Sequence, residues 1–71
     1  MNNTNEMYFI YFTSEEQAQT IAHALVHYDS DWYWTNDIRG KQVIEAPRAD
    51  AEVIANAFGV AIKSMKEAMT L

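Results

Sequence analysis

The stretch that decides the fold is DWYWTNDIRGKQVIEA, residues 31–46. Two runs, 31–37 and 42–46, are rich in aromatic and β-branched residues, which is typical of β-strands. Between them lies the short segment 38–40, which ends in a glycine. A three-residue loop with a left-handed glycine at its end is a common connection of antiparallel strands, so the stretch predicts a β-hairpin with a bulge at Gly40.

The loop length determines the register of this hairpin. A three-residue loop pairs Asp37 with Lys41 and Trp34 with Ile44. A two-residue loop would pair Trp34 with Glu45 and turn both tryptophans away from Ile44, because a one-residue slip exchanges the two faces. We favour the first register because it groups the large apolar residues. One face then carries Trp32, Trp34, Ile44 and Ala46, and the other carries Tyr33, Thr35, Val43 and Glu45.

A strand and a helix precede the hairpin. Residues 7–12 are six consecutive apolar or aromatic residues, which favours a strand that is covered on both faces or meets a partner. Ser14 and Gln17 have the spacing of a capping box and predict a helix start, with a helix end near Tyr28. The buried stripe of this helix is predicted to contain Ala18, Ile21, Ala22, Leu25 and Tyr28.

The segment after Pro47 allows three interpretations. Apolar residues at steps of three and four continue across Gly59, which predicts one long amphipathic helix over residues 48–69. Alternatively, Gly59 ends one helix and a second begins a few residues later. In the third interpretation, residues 59–63 form a turn that leads into a short last strand. We favour a C-terminal helix that is either long or broken at Gly59.

Together these elements predict an α+β fold of order βαββα. A three-stranded antiparallel sheet has the third strand at its centre, the first strand at an edge, and both helices on one face. This order resembles a ferredoxin-like βαββαβ unit without its last strand. Residues 1–6 are predicted to be a flexible polar tail, and residues 7–71 a single domain.

Composition excludes several classes of protein. With 49% apolar and 21% charged residues, the chain has the balance of a folded domain. It contains no cysteine, so disulfides and thiolate zinc sites are excluded. No apolar run approaches the roughly 20 residues of a membrane span, and the N-terminus lacks the pattern of a signal peptide. We therefore expect a cytoplasmic protein that does not bind membranes.

The charge is distributed unevenly along the chain. Residues 1–38 contain six acidic residues and no Lys or Arg, whereas residues 39–71 contain five basic and four acidic residues. An acidic half disfavours contact with a phosphate backbone, so nucleic acid is the less favoured partner. The asymmetry favours a protein partner with a basic surface.

No catalytic motif is present. The chain lacks a G-x-S-x-G elbow, and its two glycines cannot form a phosphate-binding loop. His23 and His27 have the i, i+4 spacing of a metal pair, but no glutamate follows His23 directly and no third ligand is evident. We therefore predict a protein that is not an enzyme and that has no cofactor and no metal site.

These observations predict a small acidic interaction protein that binds and modulates or inhibits a macromolecular partner. Compact acidic chains of this kind suit inhibitors of nucleic-acid-handling machinery, such as those made by phages and other mobile elements. A homodimer is compatible with this prediction. The residues expected to contact the partner are acids of the first half and two tyrosines: Glu15, Glu16, Asp29, Asp31, Asp37, Tyr33 and Tyr11.

The C-terminal segment supports an alternative function. Ile54-Ala55, Phe58-Gly59-Val60, Met65 and Ala68 resemble the spacing of small and apolar residues in a helix-turn-helix motif. This resemblance covers about 20 residues and implies a DNA-binding regulator. It would place Lys63, Ser64 and Lys66 against DNA.

Overall fold

The computed structural model describes residues 6–70. In chain order its elements are β1 (Met7–Tyr11), α1 (Glu15–His27), β2 (Tyr33–Asn36), β3 (Gln42–Pro47), α2 (Arg48–Phe58), β4 (Ala61–Ser64) and α3 (Met65–Met69). The strands form one antiparallel sheet in the order β2-β3-β1-β4. The predicted α+β class is confirmed. However, the described residues form four strands and three helices, and the last strand completes the ferredoxin-like order.

The predicted hairpin register is confirmed. Trp34 pairs with Ile44, and the N–H of Asp37 donates to the carbonyl of Lys41 at 2.8 Å. Gly40 has a φ of 85°, as the bulge requires, and its N–H donates to the carbonyl of Asp37 at 3.0 Å. The three-residue turn therefore places Trp34 on the same face of the hairpin as Ile44.

Local hydrogen bonds define both ends of α1. The Ser14 side chain accepts from the N–H of Gln17, as predicted, but the Gln17 side chain reaches back to the N–H of Thr13 at 2.8 Å. At the other end, Asp29 has a φ of 60°, and the N–H of Ser30 donates to the carbonyl of Leu25. This is a Schellman motif, in which Asp29 occupies the left-handed position. The prediction that Tyr28 belongs to the buried stripe is wrong, because α1 ends at His27 and the Tyr28 side chain is 50% exposed.

The prediction that β1 lies at the edge of the sheet is wrong. β1 lies between β3 and β4, and its residues Phe9 and Ile10 are 2% and 0% exposed. A strand with apolar side chains on both faces needs cover on both, and a central position also pairs both of its backbone edges. The apolar run 7–12 is explained by that position.

The prediction of one long C-terminal helix is wrong, whereas the break at Gly59 is confirmed, and the segment follows the third interpretation, in which a short last strand comes next. α2 does end at Gly59, whose φ is 69°, but a strand follows instead of a second long helix. Ile62 of β4 pairs with Ile10 of β1, and α3 begins directly after Ser64. In a segment of four residues, one partly buried isoleucine fits a helical and a strand period equally well. Pairing with the free edge of β1 favours the strand.

The two faces of the sheet are covered unequally. α1 and α2 pack on one face, where Ile21, Leu25 and Ile54 meet Ile10 and Ile44 in the main core. The other face was predicted to be uncovered, but Ala68 of the short α3 packs there against Phe9 and Val43. α3 contacts mainly β4 and β1, and its buried cluster reaches Val43 of β3 but includes no described residue of β2.

The N-terminal segment is only partly described. Residues 1–5 of the predicted tail lie outside the described residues, whereas the carbonyl of Glu6 accepts from the N–H of Arg48 at 2.9 Å. None of the helices within residues 6–70 is long and apolar enough to cross a membrane.

Candidate functional site

β2 is an edge strand with an open hydrogen-bonding side. The pair Asp37–Lys41 is hydrogen-bonded, so alternation makes Thr35 and Tyr33 the next residues that bond to β3. The N–H and C=O groups of Trp34 and Asn36 therefore point away from β3. No strand lies beyond β2 in the part of the chain that the structure describes. Unpaired backbone groups of this kind can pair with another extended chain.

A cleft of about 640 Å³ lies between β2 and α1, on the helix side of the sheet. Its aromatic wall consists of Phe12, Trp32 and Trp34. Trp34 lies edge to face with both neighbours, with ring centroids 5.5 Å from Trp32 and 6.1 Å from Phe12. The volume falls within the usual range for binding pockets, so we call this feature the aromatic cleft.

The wall opposite the tryptophans is formed by small residues of α1. Ala18 and Ala22 line it, and both are buried. A larger side chain at either position would fill the space that these alanines leave open. Val26 lines the same wall and is 64% exposed, so apolar surface continues to the mouth of the cleft.

Polar side chains surround the aromatic cleft. Glu15 brings a carboxylate and Lys41 an ammonium group, while the remaining polar residues that line it are Thr13, Ser14, Gln19, His23 and Gln42. Apolar walls with a polar rim are typical of surfaces that bind a side chain or a small molecule.

On the opposite face of the sheet, two tyrosines lie beside carboxylates. The hydroxyl of Tyr11 donates to Asp37 Oδ2 at 2.9 Å. Tyr33 is the cross-strand neighbour of Glu45, whose side-chain hydrogen bond raises the pKa of Tyr33. Tyr33 is 48% exposed and Glu45 is 9% exposed. We call these four residues the tyrosine face, a surface that combines aromatic rings with acceptors for a basic side chain.

Burial and hydrogen bonding act on Asp37 in opposite directions. Burial disfavours its charged form, but the N–H groups of Lys41 and Arg39 and the hydroxyl of Tyr11 donate to its carboxylate. The hydrogen bonds dominate, so the pKa of Asp37 lies below its usual value. The same pair raises the pKa of Tyr11 to about 12, first through burial and then through the hydrogen bond to Asp37.

The structure brings most of the predicted contact residues together around β2. Tyr11, Tyr33 and Asp37 belong to the tyrosine face, and Asp31 is exposed two residues before the strand. Glu15 lines the aromatic cleft. We call this set of residues, with β2 and the aromatic cleft, the β2 side.

Two predicted contact residues have a weaker connection to this surface. Glu16 is exposed in the first turn of α1 but does not line the aromatic cleft. Asp29 adopts the left-handed conformation that ends α1, so its place in the sequence is explained by the turn and does not require a partner contact. With a rise of 1.5 Å per residue, the two ends of α1 are about 20 Å apart. The acidic residues therefore do not form one continuous strip.

The premise of the helix-turn-helix interpretation is wrong. Lys63 lies in β4, with its Nζ 5.4 Å from the centre of the Tyr11 ring. Ser64 is 6% exposed and caps α3, where its side chain and that of Glu67 form a reciprocal capping box. Lys66 lies in α3, which has only five residues, so within residues 6–70 no recognition helix follows Gly59.

Sequence reasoning missed the aromatic cleft because it forms only when α1 lies beside β2. The available signal was the pair of small residues, Ala18 and Ala22, on a helix that connects β1 to a tryptophan-rich strand. His23 is exposed on α1 and lines this cleft. Within residues 6–70, no three His, Asp or Glu side chains cluster closely enough to hold a metal ion.

Comparisons with known proteins add no family or relative. No family model, curated protein or solved structure matches this chain.

Proposed function

We propose that the chain is a non-enzymatic interaction domain that binds a protein partner with a basic surface and thereby modulates or inhibits it. The β2 side is the proposed contact surface. The observation that supports this most strongly is the position of β2, an open edge strand between the aromatic cleft and the tyrosine face. Tryptophan and tyrosine are the side chains that most often anchor protein interfaces.

Charge supports the choice of a basic partner. The net charge is −5, and the acids Glu15 and Asp31 are exposed on the β2 side. A carboxylate beside an aromatic ring suits an arginine or lysine of a partner, as at Tyr33 and Glu45. Because opposite charges steer encounter, association should be faster at low ionic strength.

The proposal is tested by affinity capture from host lysate with two variants of equal net charge. In the first, Glu15→Lys and Asp31→Lys reverse two acids of the β2 side. In the control, Asp50→Lys and Glu52→Lys reverse two acids of α2, which packs mainly on α1, β1, β3 and β4, and the second change also removes the exposed ion pair between Glu52 and Arg48. In each variant one reversed acid lies in the first turn of a helix. Both variants therefore lose a similar favourable interaction between an acid and the helix dipole.

We expect the wild-type chain and the control to capture the same protein in nuclease-treated lysate, and the first variant to lose it as salt rises. Equal capture by both variants would contradict the β2 side as the contact surface. Recovery of DNA alone, lost on nuclease treatment, would instead favour a DNA-binding regulator.

A further inference from the structure

We infer that the partner supplies an extended segment, which pairs with the open edge of β2 and places one apolar side chain in the aromatic cleft. This inference rests on the proposed function and specifies how the partner is recognised. Strand addition obtains affinity from backbone hydrogen bonds and specificity from a pocket for alternate side chains. The β2 side carries both features on a single strand.

The backbone component comes from Trp34 and Asn36. Their N–H and C=O groups point away from β3, as the hydrogen-bonded pair Asp37–Lys41 dictates. Exposed edges are usually protected by proline, by lysine or by a covering element. β2 has the sequence YWTN, with none of these residues.

The pocket lies on the matching face. The side chain of Trp34 is directed to the helix side of the sheet, where it forms part of the aromatic cleft and is 40% exposed. Residues on an added strand would alternate between the two faces. A residue beside Trp34 would therefore enter the cleft, and its neighbours would lie toward Tyr33 or solvent.

Charge selects the occupant. Asp31 and Asp37 lie just beyond the two ends of β2, so an added segment with lysine or arginine on either side of its apolar residue is complementary. A second copy of this chain is a poorer match. An antiparallel copy centred on Trp34 would place Asp31 of one chain opposite Asp37 of the other, and like charges that face each other across strands are destabilising.

The probe is a fluorescein-labelled peptide, Lys-Thr-Thr-Leu-Thr-Thr-Lys, titrated with the full chain and followed by fluorescence anisotropy. We expect binding to weaken by about tenfold when alanine replaces the leucine, and N-methylation of the peptide backbone to abolish binding only at alternate positions. That period of two is the signature of strand pairing, because only every second N–H faces β2.

Two matched pairs of variants locate the contact. Asn36→Pro removes an outward N–H, whereas Asn36→Thr keeps it, and proline at such an edge position costs no sheet hydrogen bond. Gln19→Phe fills the aromatic cleft from its exposed rim, whereas Thr20→Phe adds the same ring beside it on α1. We expect the first member of each pair to weaken peptide binding by about tenfold or more and the second to leave it unchanged.

Three results would overturn the inference. The first is binding that is insensitive to Asn36→Pro and to every N-methylation. The second is absence of peptide binding while partner capture still depends on Glu15 and Asp31, which would leave the proposed function intact. The third is a homodimer that Asn36→Pro dissociates, which would make a second copy the occupant.

Discussion

The two edges of the sheet differ in how they are protected. At the β4 edge, Lys63 lies within the strand, and α3 follows at once and packs back over Phe9 and Val43. The reciprocal capping box of Ser64 and Glu67 stabilises that return. At the β2 edge, no helix follows, and Tyr33 and Trp34 are 48% and 40% exposed. This contrast is why we propose the β2 edge, and not the β4 edge, as the binding surface.

The largest expected effect is on partner binding by Trp34→Ala. Trp34 forms part of the aromatic cleft and lies beside the open backbone groups, so its loss should cost roughly 2 kcal/mol or more, which is about 30-fold in Kd. The control is Val53→Ala in α2, where the side chain is 45% exposed. Isothermal titration with the captured partner measures both variants. Equal losses of affinity in Trp34→Ala and Val53→Ala would contradict the proposal that the partner binds at β2 and not at α2.

On the β4 side, Ser64→Ala should lower stability without weakening partner binding. The substitution removes the hydrogen bond from the N–H of Glu67 to the Ser64 side chain, which is 3.1 Å long, at a cost of about 1 kcal/mol. Urea unfolding measures the stability, and titration with the partner measures the binding. If binding weakens in Ser64→Ala while the fold stays intact, the contact surface lies at the β4 edge, which would contradict the proposal.

Gly59→Ala distinguishes the observed turn from a continuous helix by the sign of its effect. At a φ of 69°, a side chain at this position is strained, although an added Cβ would meet no atom within 4 Å. The substitution should therefore destabilise the chain by about 1 kcal/mol. In a continuous helix the same change would stabilise by about 1 kcal/mol. A higher urea midpoint for Gly59→Ala would contradict the assignment of β4.

The smallest effect concerns the tyrosine face. Because the pKa of Tyr11 is raised to about 12 from 10.0, its protonated form favours the folded state, and that stability is lost as pH rises from about 10 to 12. The pKa of Asp37 is lowered, so its contribution is present at neutral pH and is lost as pH falls below the usual aspartate range.

Asp37→Asn should remove the loss of stability that Asp37 causes at low pH. It should also bring the pKa of Tyr11 closer to its ordinary value of 10.0. Ultraviolet absorbance of the phenolates measures this titration, with Tyr11→Phe identifying the signal. A Tyr11 titration that does not move in Asp37→Asn would contradict the hydrogen bond between these side chains.

Local rules predicted the elements that depend on neighbouring residues. Gly40 and the grouping of tryptophans determined the hairpin register, and Ser14 marked the start of α1. The apolar run 7–12 indicated a strand covered on both faces, but its central position depended on β4. That strand is defined by pairing with β1 across about 50 residues of sequence, which no local pattern in residues 61–64 reveals.

The candidate site was predictable in part. The tyrosines and acids were identified individually because their chemistry is visible in the sequence. The aromatic cleft depends on the position of Ala18 and Ala22 opposite Trp34, which is set by the crossover of α1 onto the β2 half of the sheet. Charge alone assigned the acids of the first half to one contact surface, but Glu15 and Asp29 lie at opposite ends of α1.

Amide hydrogen exchange of the chain, measured with and without its captured partner, shows directly whether the partner binds at the open edge of β2. We expect slower exchange at the N–H groups of Trp34 and Asn36, which face away from β3, with little change across β4. Protection confined to β4 and α3, with exchange at β2 unaltered, would contradict the assignment of the β2 side as the binding surface.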